Sequence, residues 1–244
     1  MISSLSIVIP AYREEERIGK TLDHLQRYIN TDPFIKSKSV EVIVVAANSD
    51  DNTQGIVELH KNNFDQLKLL LPGDRVGKGR DVKFGMMRAR GDAIMFMDAD
   101  MATPLVYISK FLKTIEDGED IVIGVRNLNN HHDNTVRKFL SLVGNFLFKK
   151  VSGCDISDSQ CGFKMFTKKS CRVCFSNMSI MGWGFDMEIL SIAKLHNYKI
   201  GTVEIKRWQD VKGGTFNGKM IRNALFTFRD LMKILINLKL KKYD

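Results

Sequence analysis

Short apolar and β-branched runs alternating with amphipathic helical patterns constrain the fold of this chain more than any other feature of its first two thirds. Runs at residues 5–10, 40–46, 67–71, 93–97 and 121–125 have the composition of strands buried on both faces. Between the first two, Ile18, Leu22, Leu25 and Ile29 recur at helical spacing, which predicts a helix over residues 14–30 with one buried stripe. Thr103 and Pro104 open a second helical pattern that carries Ile108, Phe111, Leu112 and Ile115 and stops at Gly118. Strand and helix in repetition imply an α/β domain with a largely parallel sheet. Further on, the pattern predicts an apolar helix with basic ends at 135–151, a strand at 163–166, a helix at 186–196 and a strand at 199–205.

Composition narrows the class. At 44% hydrophobic and 27% charged, 244 residues can bury a sizeable core, which excludes a disordered chain. No run approaches the roughly 18 apolar residues of a membrane-spanning helix. A net charge of +9 points to an anionic partner: nucleic acid, an anionic membrane surface or a phosphorylated small molecule. The excess is uneven, because the last 27 residues hold seven basic side chains against two acidic ones, five of the nine charges. Apolar residues such as Phe228, Leu231, Met232 and Ile236 are interleaved with them. The segment fits a packing helix with a solvated face, a helix lying in the headgroup region of an anionic membrane, or a nucleic-acid arm. Four cysteines fall between Cys154 and Cys174, and with no leader-like opening to the chain they are expected to be reduced thiols. Cys171 and Cys174 have CxxC spacing, but Cys154 and Cys161 are seven apart and do not complete a regular zinc site. The adjacent His131 and His132 are expected in a loop.

Gly77-Lys78-Gly79 lies between a predicted strand and a predicted helix. Pro72 and Gly79 occupy the first-glycine and Ser/Thr positions of a P-loop, and Val82 the third glycine of a dinucleotide fingerprint, so both motifs fail. What remains is a turn that presents Lys78 and Arg80 near a helix N-terminus, suited to a phosphate or simply to the surface. Asp98-Ala99-Asp100 ends an apolar strand, where α/β sheets place their ligand crevices. Both carboxylates can face one cation, or they can cap the turn before Thr103-Pro104.

Taken in order, these residues resemble a family. Pro10-Ala11-Tyr12-Arg13-Glu14-Glu15, Ser49-Asp50-Asp51-Asn52-Thr53, Gly77-Lys78-Gly79 and Asp98-Ala99-Asp100 resemble the GT-A fold, family 2 glycosyltransferases. Asp158-Ser159-Gln160-Cys161-Gly162-Phe163-Lys164 and Trp183-Gly184-Phe185-Asp186-Met187-Glu188 look like the dolichyl-phosphate glucosyltransferase branch, with the dolichyl-phosphate mannose synthases as nearest relatives. The resemblance runs from about residue 4 to residue 215.

It implies an α/β GT-A domain over residues 1–215, with 216–244 as a basic amphipathic helical segment. By position, Pro10, Tyr12, Glu14, Asn48, Asp51 and Lys78 would serve the nucleotide sugar, and Asp98 with Asp100 would hold Mg2+ or Mn2+ and the donor diphosphate. Arg126, Arg137, Gln160, Lys164, Trp183 and Arg207 would lie on the acceptor side, and Asp186 is the candidate general base. The implied reaction is inverting transfer of a hexose from a UDP- or GDP-sugar, with glucose from UDP-glucose favoured, to a polyprenyl or dolichyl phosphate. That acceptor lives in a membrane and favours the membrane role for the basic tail over nucleic acid. It also places the protein peripherally on a cytoplasmic membrane face. A soluble hydroxyl acceptor and a catalytically silent binding module are the alternatives. The latter is suggested by Ala46-Ala47-Asn48-Ser49, which stands where the family commonly has Asp-Asp-Gly-Ser.

Overall fold

The computed structural model describes residues 2–126, 148–206, 208 and 220–243, with side chains from 226 onward in the last stretch. Seven strands form one sheet: β1 (Ser4–Ala11), β2 (Ser39–Ala46), β3 (Leu67–Leu70), β4 (Ala93–Met97), β5 (Ile121–Arg126), β6 (Phe163–Thr167) and β7 (Ile200–Ile205). Their order is β3-β2-β1-β4-β6-β5-β7. The β3-β2-β1-β4 half is parallel, β5 and β7 are parallel to each other, and β6 runs antiparallel to both its neighbours. Because β1 lies between β2 and β4, the connections diverge at its carboxyl end and open a crevice there.

The period of two along each strand divides the core. Leu5, Ile7 and Ile9 of β1 face one side, packed with Ile18, Leu22 and Leu25 of α1 (Ile18–Thr31) and Ile108, Phe111 and Leu112 of α5 (Tyr107–Glu116). Val8 faces the other side, with Ile43 and Val45 of β2, Ile94 and Phe96 of β4, and three helices. These are α4 (Lys78–Met86), α6 (Lys168–Asn177) and α7 (Phe185–Leu195). Sheets covered on both faces need nearly continuous apolar strands, which the sequence pattern already showed. Two short helices, α2 (Pro33–Lys36) and α3 (Thr53–His60), complete the first half.

Several boundaries differ from expectation. Residues 14–17 form a turn closed by the Ile18 amide on the Glu14 carbonyl (2.8 Å), so α1 begins four residues later than predicted. Thr103 and Pro104 start a turn rather than the helix itself, and α5 opens at Tyr107, whose amide bonds to the Pro104 carbonyl (3.1 Å). Of the predicted 135–151 helix only residues 148–151 are described; they are helical, and the helix continues to 152. His131 and His132 lie outside the described residues. The spacing of Cys171 and Cys174 is that of a buried helix face: with Phe175 they turn α6 into the core. All four cysteines are free and buried, and burial pushes the Cys161 thiol up to about 11. The C-terminal helix α8 (Met220–Lys239) packs Leu231 and Ile234 into the same core, and Tyr243 beyond it is also buried.

Candidate active site

The carboxyl ends of β1, β2 and β4, the N-termini of α4 and α7, and the first residues of β6 meet above the crevice. Asp98 follows β4 directly, and its Oδ1 takes an ion pair from Lys78 Nζ at 2.5 Å. Lys78 is the first residue of α4, where the helix dipole favours an anion. Burial alone would lower its pKa, but the carboxylates of Asp98, Asp186 and Asp100 around it outweigh burial and raise it. The ammonium therefore stays charged.

The Asp98–Asp100 turn is held from two sides. Thr21 of α1 donates its hydroxyl to the Ala99 carbonyl (2.6 Å), and Asp100 Oδ1 accepts the Ala102 amide (3.0 Å). Met101, next in line, has φ +52°, a left-handed conformation uncommon for a side chain of its size. Arg13, just past β1, has φ +58°. Strained backbone thus lies at both strand ends that border the crevice, as at many functional sites. Burial, then the charge of Asp98, raises the Asp100 pKa. Burial also carries Glu14 up to about 7, reinforced by Asp100, Asp98 and Asp51 against the opposing Arg17. Glu14 Oε2 is buried without a hydrogen bond, its nearest cation being Arg17 at 3.6 Å.

Mutually repelling carboxylates with an unsatisfied buried oxygen among them suit a divalent cation. Among the described residues no three His, Cys, Asp or Glu side chains converge as a ready-made ligand set. One or two carboxylates completed by diphosphate oxygens are what Mg2+ and Mn2+ accept. Asp98 and Asp100 fit that role.

Among the residues expected on the acceptor side, Lys164 of β6 has no exposed surface and Asp186 of α7 almost none. Their side chains form an ion pair, and Lys164 Nζ also donates to the Cys161 carbonyl (2.6 Å) over the Phe96 ring. Burial raises the Asp186 pKa, and Lys164 and Lys78 pull it back. Arg126 forms a bidentate pair with Asp158 (2.7 and 2.8 Å), which also accepts the Arg126 amide (3.1 Å). Its guanidinium lies over Trp208. Trp183 is 46% exposed and its ring lies 5.1 Å from Lys78 Nζ. Gln160 is exposed one residue before Cys161, and Arg137 and Arg207 lie outside the described residues.

Among the residues expected to serve the nucleotide sugar, Pro10 is partly buried near the end of β1, and the half-buried Tyr12 ring is covered by Arg75 at 4.1 Å, with Arg13 at 5.6 Å. Arg13 itself is clamped by Asp50 through two 2.9 Å bonds. Asn48 donates to Asp74 (2.9 Å). Both oxygens of Asp51 are engaged by Ser49 (2.5 Å), Thr53 (2.8 Å) and the Glu15 amide (3.1 Å), so it organises the loop into α3. Sequence reasoning missed two residues of the site. Arg75 carries no motif signal, whereas Gly162 stood inside the quoted acceptor-side motif. A Cβ at Gly162 would lie 2.1 Å from Asp98 Oδ2, so its missing side chain is the space the carboxylate occupies.

A mostly parallel sheet carrying a lysine and two carboxylates over the switch between β1 and β4 defines a GT-A type nucleotide-sugar transferase. The match to known proteins agrees: the chain belongs to glycosyl transferase family 2, whose model covers residues 6–175, and it is a glycosyltransferase. It is 34% identical over 240 residues to a dolichyl-phosphate beta-glucosyltransferase of Trichomonas vaginalis, which covers 95% of this chain and 73% of that one. The fold is shared with mannosyl-3-phosphoglycerate synthase from Rubrobacter xylanophilus (TM-score 0.70, 18% identity, 95% of this chain and 74% of that one). It is shared too with Mycobacterium tuberculosis glucosyl-3-phosphoglycerate synthase in complex with Mn2+, UDP-glucose and phosphoglyceric acid (TM-score 0.66, 16% identity, 96% and 80%).

Proposed function

We propose that this chain transfers glucose from UDP-glucose to a polyprenyl phosphate of the dolichyl type, with inversion at the anomeric carbon. The observation that carries the acceptor is the sealed pair of Lys164 and Asp186. A sugar hydroxyl needs a general base within hydrogen-bond reach. The carboxylate in the base position is instead neutralised by a fully buried lysine. A phosphate monoester, with its second pKa near 6, arrives largely deprotonated and needs no base. Relatives named as dolichyl-phosphate beta-glucosyltransferases support the same acceptor and sugar.

In this reaction an acceptor phosphate oxygen bonds to the anomeric carbon while the bond from that carbon to the diphosphate oxygen breaks. Its electron pair leaves with the nucleoside diphosphate, and no proton has to move. Lys78 and the positive end of the α4 dipole hold the diphosphate, and Asp98 and Asp100 would hold a divalent cation. Such a cation, when bound, stabilises charge on the departing diphosphate. The Lys164–Asp186 pair orients the acceptor edge without taking a proton.

Among the described residues no helix is long and apolar enough to cross a membrane. Phe228, Met232 and Ile236 of α8, with Leu240 just past its end, nevertheless form an exposed stripe at i, i+4 spacing, each 41% exposed or more. Lys233, Lys239, Lys241 and Lys242 are on the same segment. A helix lying in an anionic headgroup layer has this composition, and it would hold the enzyme peripherally at the cytoplasmic face beside its acceptor.

The test is transfer by purified protein with manganese, UDP-glucose or GDP-mannose, and either dolichyl phosphate in detergent or 3-phosphoglycerate. The expected result is stoichiometric UDP and dolichyl phosphate glucose, abolished in Asp100→Ala. Turnover with the soluble acceptor alone, or full activity of the variant, would overturn the proposal.

A further inference from the structure

A second buried polar cluster lies behind the site, where the end of α8 meets α7. Glu188, two residues past Asp186, has no exposed surface. Its Oε2 accepts the amides of Ser179 (2.9 Å) and Ile180 (2.6 Å), and its Oε1 accepts the hydroxyls of Ser179 (2.7 Å) and Tyr243 (2.6 Å). Tyr243, 1% exposed, also receives Asn237 Nδ2 on its hydroxyl (3.0 Å), and its carbonyl is 2.7 Å from His196 Nε2. Lys233 and Asn237 of α8 donate to the carbonyl and hydroxyl of Ser179 (3.2 and 3.3 Å). Glu188, Lys233 and Asn237 thus all bond to the start of residues 179–184, and Tyr243 joins Glu188 to Asn237.

That segment is the wall of the donor site. The Met181 carbonyl accepts the Arg80 amide (3.1 Å). Gly77 and Gly79 admit the segment: a Cβ at Gly77 would meet the Met181 carbonyl at 2.4 Å, and one at Gly79 the Ile180 carbonyl at 2.8 Å. Between those two glycines sits Lys78, under the Trp183 ring and on Asp98. Asp230 of α8 presses on Gly184 at the far end of the segment, where a Cβ would lie 2.4 Å from its carboxylate. A fully buried carboxylate with four donors holds its partners in one geometry, because a lost partner would leave it unsatisfied in a low-dielectric interior.

We propose that Glu188 is a positioning residue for donor binding, and that the Tyr243 hydroxyl is the pin through which α8 sets the 179–184 wall against Lys78. The helix that faces the membrane is then the same helix that completes the diphosphate site. This inference rests on the nucleotide-sugar role proposed above. The carbonyl-to-amide contact and the two glycine approaches transmit the position of α8 to Lys78.

The test uses the full chain in a Trp208→Phe background, so that fluorescence reports Trp183. Acrylamide quenching is measured without ligand, followed by titration with UDP and with GDP in manganese. Tyr243→Phe keeps the buried ring and removes only the hydroxyl. It is expected to change Trp183 quenching and to weaken UDP binding about fivefold, on the order of one ordinary net hydrogen bond. Glu188→Gln, whose flipped amide can still accept both backbone N–H groups, is expected to stay within about twofold of wild type. Tyr243→Phe with unaltered quenching and unaltered UDP affinity overturns the proposal, whatever its Tm. Equal weakening in both variants with unaltered quenching also overturns it, since general loosening would then be the cause. Absence of nucleotide binding by the wild type would count against the nucleotide-sugar role, while the ligand-free quenching comparison would still decide this one.

Discussion

Gly162 and Glu14 show how single residues set the chemistry of the crevice. Asp98 Oδ2 occupies the place where any side chain at 162 would begin, and the atom in the way is the mobile end of a carboxylate. Gly162→Ala should therefore fold with little change in Tm while turning Asp98 aside. A displacement of about 1 Å at a group that orients a diphosphate is worth about 100-fold in rate, so kcat/KM is expected to fall on that order. Glu14 makes a prediction in pH. Its folded pKa, about 7, lies above the ordinary 4.5, so the fold prefers the neutral acid. Its contribution to stability is complete below pH 4.5 and is lost as the pH rises through 7, amounting to about 2 kcal/mol after allowance for its partial exposure. Glu14→Gln should flatten that part of the curve in urea titrations without metal at pH 5 and pH 7.5.

At the scale of elements, α8 has two different faces. Leu231, Ile234 and Asn237 turn inward, and the Phe228, Met232, Ile236 and Leu240 stripe turns out. Deleting the segment would pull Tyr243 from the core, so a loss of membrane binding in such a variant would not separate folding from docking. Phe228→Ser combined with Ile236→Ser removes outward surface only. Each buried apolar side chain is worth about 1.5–3 kcal/mol in transfer, so the double variant should weaken sedimentation with anionic liposomes at least about tenfold while Tm stays near wild type. Unchanged sedimentation would remove α8 as the membrane-binding element. Leu231 and Ile234 of the inward face are as apolar in the sequence as Phe228 and Ile236 of the outward one, and periodicity alone does not say which of two apolar stripes meets the core. Helix α6 gives the opposite lesson: CxxC spacing by itself can suggest a zinc site, yet the same i, i+3 interval, extended by Phe175, is the inward stripe of a short helix.

For the molecule as a whole, the Lys164–Asp186 pair is the contact that most depends on everything else. β6 must run antiparallel beside β4, with Lys164 opposite Phe96, before its ammonium can reach the first turn of α7. Removing one partner leaves the other charge buried. Asp186→Asn is therefore expected to cost about 3 kcal/mol, a fall in Tm of about 8 °C by differential scanning fluorimetry. With a lipid-phosphate acceptor its activity should fall only moderately at temperatures where it remains folded. Near-complete loss there would count against a purely orienting role and make Asp186 a general base.

The strands, their alternation with helices and the order of the crevice motifs were legible along the chain, because buried parallel strands and helix stripes are local patterns of period 2 and 3.6. Asp98, Asp100 and Lys78 could be singled out for the same reason: each stands where a strand ends or a helix begins. What the chain order could not reveal is which charges remain available. Asp51 is taken up by its own loop, Arg126 by Asp158 thirty-two residues away, and Asp186 by Lys164. Nor could it show that Glu188 and Tyr243, fifty-five residues apart, close one buried cluster behind the donor wall. Local sequence determines period and propensity, but burial and pairing arise only when distant segments exclude water together. Pairing decides whether a carboxylate is a base, a ligand or a strut.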